Sequence, residues 1–225
     1  MNESITTIPF TYLLVVFIPV SIVIGILHAW SLEWKNTIYA VVRMLAQLLL
    51  IGYFLTYIFE SESASITVSV MSIMVFAASW IALRTIPQNR WNFFQFSLLS
   101  ILVGGGLTLI LVTQFVLKLS PWFMPHYMIP LAGMIFASSM NGVSLAAERL
   151  KAEMDRDVDY FEARGIALGA ALIPITNSLF AVGLVSLPGM MTGQILSGIS
   201  PLIAVRYQIM VMCMIFSAVG LSSSF

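Results

Sequence analysis

Arg43 and Arg206 stand in stretches that are otherwise almost bare of charge. Gln47 follows Arg43 by one helical turn on the same face, and Gln208 lies close to Arg206. A guanidinium in such a setting can snorkel to an interface, bond backbone carbonyls or face a wet cavity. It stays protonated at any relevant pH, so neither arginine can relay protons. Just before Arg206, the apolar interval Pro188–Pro201 carries Met190, Met191 and Gln194 among Gly and Ser. Thioethers are soft ligands suited to copper(I), although most methionines are adaptable core filler. Of the 14 methionines, Met190 and Met191 have the setting that points to a route for a metal ion. Arg43, Gln47, Met190, Met191, Gln194 and Arg206 are therefore the candidates for a transport pathway or its gate.

Other chemistries fail on residue type or spacing. There is no H-E-x-x-H, no pair of histidines at metal-ligand spacing and no G-x-x-x-x-G-K-[ST] loop. Ser200 in Gly198-Ile199-Ser200 would need a base within hydrogen-bond reach, but His28 and His126 belong to distant segments. A lone cysteine, Cys213, excludes a disulfide framework and a cysteine-based metal cluster. Ten Lys+Arg against ten Asp+Glu leave no basic surplus to hold nucleic acid. No catalytic site and no cofactor are expected in this chain.

The elements that position these residues must be membrane-spanning helices. The 225 residues are 60% hydrophobic and only 9% charged, far below the charge of soluble domains. Stretches long enough to cross the hydrocarbon layer fall near 9–30, 37–59, 65–86, 93–117, 124–147, 166–187 and 202–221. Pro188–Pro201 is too short to cross and reads either as a re-entrant segment or as a plain loop. The expected architecture is one all-α integral membrane domain over residues 1–225 with about seven spans. Lys35, Arg84, Arg90 and the basic residues after position 148 share one side, so the positive-inside rule puts the N-terminus outside and the C-terminus in the cytoplasm.

Half of the charged residues fall between Glu148 and Arg164. Alternating signs at helical spacing, such as Glu148 with Lys151 and Glu153 with Arg156, suit one solvated helix over Leu145–Arg164. All carboxylates, from Glu3, Glu33, Glu60 and Glu62 to this segment, are expected in loops or tails. Proton-driven carriers generally need an Asp, Glu or His relay inside the bilayer. With only Arg43, Arg206 and His28 or His126 as candidates for that depth, proton coupling is disfavoured, while sodium coupling through backbone carbonyls stays open. Small residues at four-residue spacing, Gly133 with Ala137 and Gly189 with Gly193, predict close helix packing. A short echo relates Gly133-Met134, Gly142 and Ser144 to Gly189-Met190, Gly198 and Ser200 at identical spacing.

The run from Val182 through Gly-Leu-Val-Ser-Leu-Pro-Gly-Met-Met-Thr-Gly-Gln-Ile-Leu-Ser-Gly198, followed by Ala204-Val-Arg-Tyr-Gln-Ile209, resembles the FetB-type permease family. Val42-Arg43, Ala46-Gln47-Leu48 and Ile129-Pro-Leu-Ala-Gly-Met134 extend the match over nearly the whole chain. The family comprises iron-export subunits of ABC transporters and is related to plant aluminium-sensitivity proteins. The resemblance implies a permease, in all expectation a homodimer, that works with a separate cytoplasmic ATPase subunit and moves a metal ion across the lipid bilayer. ATP would be used by that partner. The resemblance assigns the charged segment to ATPase coupling, with Glu148, Arg149, Arg156, Glu162, Arg164 and Gly169 as the residues. It also implies an extra polar helical stretch between Ala170 and Ala171 and a basic C-terminal tail, neither of which this sequence has. The alternatives are an ATP-independent facilitator or channel, and a membrane scaffold that transports nothing.

Overall fold

The computed structural model describes residues 8–61 and 63–225, so Glu3 and Glu62 lie outside the described residues. Among these residues the chain is helical, with only an isolated bridge between Val182 and Ser186 outside the helices. The helices are α1 (Phe10–Ala29), α2 (Trp34–Glu60), α3 (Ala64–Ala82), α4 (Arg90–Ile110), α5 (Pro125–Met154), α6 (Tyr160–Ala181), α7 (Gly189–Leu196) and α8 (Pro201–Ser224). Seven of them are long and apolar enough to cross a membrane. The eight residues of α7 rise only about 12 Å and cannot.

Two compact units emerge, divided after Glu60. The first is a helical hairpin of α1 and α2, turned at Ser31, whose φ is +56°. The His28 ring meets Trp34 edge-on at 5.1 Å across this turn. α1 is apolar on every face, as a span facing hydrocarbon requires, whereas α2 carries Arg43 and Gln47 on one face.

The second unit is built around α5, which packs against α3, α4, α6 and α8. Ile101, Ile135, Met214 and Phe136 form the dense centre, with Ala132 and Ala218 letting the helices approach. Lipid removes much of the hydrophobic drive between helices, so small residues and interhelical hydrogen bonds must hold them. They do so along a serine seam: Ser139 Oγ donates to the Ala218 carbonyl at 3.3 Å, and Ser222 Oγ to Ser139 Oγ at 3.1 Å. Ser100 Oγ donates to the Ser222 carbonyl, and Ser97 Oγ to the Ser79 carbonyl at 3.3 Å.

The glycines that allow this packing differ from the expected ones. A Cβ on Gly104 would stand 2.6 Å from the Ser222 backbone nitrogen, and one on Gly142 would stand 2.8 Å from Val219 Cγ1. By contrast, a Cβ on Gly189 or Gly193 would meet nothing within 4 Å, Gly133 has only the Met74 methyl at 3.3 Å, and Ala137 is exposed. Four-residue spacing marks a smooth face, but only the neighbour decides whether it is used. The echo between Gly133–Ser144 and Gly189–Ser200 is not a structural repeat either. Gly142 lies inside α5, whereas Gly198 takes a left-handed turn at φ +86°.

The charged segment is not one helix. Residues 145–154 are the last turns of α5, the chain then turns through Asp157 (φ +60°), and α6 begins at Tyr160. Asp159 caps α6 by accepting a 2.9 Å hydrogen bond from the Phe161 N–H, which satisfies an otherwise orphaned helix-terminal donor. The sixth span consequently runs Tyr160–Ala181, not 166–187. Ala163, Ala167 and Ala171 form the buried stripe of α6, which packs on α5.

Candidate functional site

Arg43 and Gln47 lie in the first unit, exposed on α2 and one turn apart, with no ion pair for Arg43 among the described residues. Arg43 is nine residues into α2, ~14 Å from its start.

In the second unit a cavity of ≈ 250 Å³ opens between α5, α7 and α8, lined by His126, Tyr127, Met134, Met190, Tyr207 and Met210. One wall is Leu117, which follows a π-helical segment, Leu111–Val116, at the end of α4. Such wide turns are frequent at functional sites. The Thr113 hydroxyl bonds the Leu109 carbonyl at 2.8 Å, and the Thr113 carbonyl accepts the Leu119 N–H at 3.0 Å, which fixes this wall. A larger hollow of ≈ 490 Å³ is lined by Leu14, Phe17, Ile18, Ser21 and Ile22 of α1 alone and carries no ionisable group.

Of the candidate pathway residues, Met190 lines the cavity. Met191 and Gln194 are half-buried on α7 without lining it, and Arg206 is exposed on α8. Gln194 Oε1 is inaccessible and has no hydrogen-bond partner, as does Oε1 of Gln208, a residue buried on α8. Met134 and Met210 were not singled out in the sequence. Their thioethers look like core filler until the fold brings α5, α7 and α8 together.

The coupling candidates gather around the α5–α6 turn. Glu148, Arg156, Glu162 and Arg164 are exposed there, as is Gly169 one to two turns further along α6, while Arg149 is half-buried. Arg164 stacks on the Phe161 ring with its guanidinium carbon 4.8 Å from the centroid. The organising residue is Glu153, which is buried and pairs with Arg149 at 2.6 Å and Arg156 at 3.6 Å. The Glu153 carbonyl also accepts the N–H groups of Arg156 and Val158. The expected Glu153–Arg156 pair is thus present, whereas Lys151 pairs with Asp155 at 3.6 Å and not with Glu148.

The expectation that every carboxylate lies in a loop or tail is corrected here. Glu60 ends α2, Glu148 and Glu153 lie in α5, and Glu162 opens α6. Glu153 nevertheless belongs to the last turn of α5, neutralised by two arginines. Between Glu62 and Glu148, and after Glu162, the sequence has no acidic residue at all. Glu153→Ala should leave Arg149 partly buried without its partner and lower stability by about 2 kcal/mol, read as a lower thermal unfolding temperature in detergent. Lys151→Ala, which breaks only an exposed pair, should change it by less than about 0.5 kcal/mol.

No group of three or more His, Cys, Asp or Glu among the described residues could hold a metal ion. Seven apolar helices of spanning length define a multi-pass helical membrane protein. The chain belongs to the family described as "Uncharacterised protein family (UPF0014)", whose model matches residues 10–225. It is 34% identical to "Probable iron export permease protein FetB" of Escherichia coli, over 99% of this chain and 87% of the relative. It is also 34% identical to "UPF0014 membrane protein slr1647" of Synechocystis, over 80% of this chain and 76% of that protein. "Protein ALUMINUM SENSITIVE 3" of Arabidopsis thaliana matches at 34% over 86% of this chain and 74% of its own length. No solved structure matches.

Proposed function

We propose that this chain is the membrane-spanning subunit of an ABC-type transporter that exports a metal ion, with energy from a separate cytoplasmic ATPase. The likeness to FetB names iron as the first cargo to test. What supports an external motor is the charge distribution. The acidic residues of the described spans, Glu60, Glu148, Glu153 and Glu162, fall in or near the end turns of their helices rather than midway along them, and half of the molecule's charge sits at the α5–α6 turn.

That turn is suited to carrying force. Glu153 locks it, and the alanine stripe of α6 lets two backbones run close together, so a push on the tip displaces α5 and α6 as one body. In this reading the tip is cytoplasmic, the C-terminus is cytoplasmic and the N-terminus is outside. Two permease copies would be drawn together when the ATPase binds ATP, and the motion would reach the cavity through α5. The test is co-expression with candidate ABC ATPase subunits from the same genome. A stoichiometric complex whose ATP turnover requires the permease supports the proposal, and metal flux down its gradient through the isolated chain would favour a facilitator instead.

A further inference from the structure

The cavity between α5, α7 and α8 joins three thioethers that the sequence keeps far apart: Met134, Met190 and Met210, one from each helix. All three are partly buried and pack against the core. An unbranched thioether has enough torsional freedom to swing its sulfur inward. The other polar groups lining the cavity are His126, Tyr127 and Tyr207, and no carboxylate lines it.

We propose that this cavity is a binding site for a soft, monovalent d10 cation of the copper(I) or silver(I) class, held by the sulfurs of Met134, Met190 and Met210. Two physical reasons select that class. Thioether sulfur is a soft donor that favours such ions over hard or borderline divalent ones. The donor set is also neutral, and the cost of moving an ion out of water grows with the square of its charge. A divalent ion here would face roughly four times the penalty of a monovalent one without an anionic ligand to offset it. The site therefore discriminates against ferrous iron. This rests on the metal-transport reading but replaces iron by a soft monovalent ion at this one site, and binding itself requires no ATPase.

The experiment is silver(I) titration of the purified full chain in chloride-free buffer, followed by calorimetry. The exposed Cys213 thiol would compete for silver, so the parent protein carries Cys213→Ser. The variant is Met134→Leu with Met190→Leu and Met210→Leu, since Leu nearly conserves volume. The control is Met44→Leu with Met71→Leu and Met154→Leu, none of which lines the cavity. The cavity variant should bind silver(I) about tenfold or more weakly, and the control should match the parent. No binding by the parent, equal loss in both variants, or displacement of silver by equimolar ferrous iron overturns the proposal. Should the cavity variant misfold, methionine methyl resonances of the unsubstituted Cys213→Ser protein decide: silver must shift those of Met134, Met190 and Met210. Binding that persists while ATP-driven transport fails would contradict the transport reading and leave the site standing.

Discussion

Gly104→Ala should cost about 3 kcal/mol of stability, and Gly106→Ala next but one to it should cost nothing measurable. The reason is steric. A methyl on Gly104 would sit 2.6 Å from both the backbone nitrogen and the hydroxyl of Ser222, whereas one on Gly106 meets nothing within 4 Å. Backbone of a packed helix cannot retreat as a flexible side chain can, so α4 and α8 must separate. That separation would also lengthen the Ser100–Ser222 and Ser139–Ser222 bonds. Overpacking of this kind typically costs 1–3 kcal/mol, sometimes more, while an unobstructed Gly→Ala in a helix is neutral or stabilising. Thermal unfolding of both variants in the same detergent reads the difference. Equal unfolding temperatures would mean that α4 and α8 do not approach as described.

Reversing two charges at the α5–α6 turn should have the largest effect on transport. Glu148 and Glu162 are exposed and make no ion pair among the described residues. Glu148→Lys with Glu162→Lys leaves the Glu153 cluster and the alanine stripe in place, and stability should fall by no more than about 1 kcal/mol, mostly at Glu162, which complements the N-terminal turn of α6. If the ATPase docks on this turn, like-charge juxtaposition at an interface should weaken the complex by several kcal/mol. ATP-dependent metal efflux should then fall at least about tenfold, with the fold preserved. Efflux at the parental rate would remove the turn from the coupling surface.

The seven long helices were legible because hydrocarbon imposes a length and an apolar composition on anything that crosses it. The break inside Leu145–Arg164 was less so, because alternating charge fits a solvated helix equally well on either side of a turn. A local signal was present nonetheless. Asp159 with Glu162 three residues later has the spacing of a helix start, and the structure uses Asp159 as the cap. The packing glycines could not be chosen from spacing, since Gly104 and Gly189 differ only in what faces them. The cavity was half legible. Met190 stood out through its Gly- and Pro-rich surroundings, but Met134 and Met210 lie within regular helical patterns, and only the contacts of α5 with α8 and of α7 with α8 bring them to one place.

Of the pathway candidates on the second unit, Arg206 points to the surface rather than the cavity. With Arg206 outside the lining, no guanidinium stands beside Met134, Met190 and Met210 in the cavity. No carboxylate lines the cavity, and His126 is the lining side chain of a type that takes part in proton relays.

The decisive measurement is metal accumulation in inverted vesicles containing this chain and the ATPase partner proposed for it, with and without MgATP, in the presence of a protonophore. Uphill accumulation that requires both ATP and the ATPase, and that persists when the proton gradient is collapsed, is the expected outcome. Uphill accumulation by this chain alone, abolished by the protonophore, would contradict it.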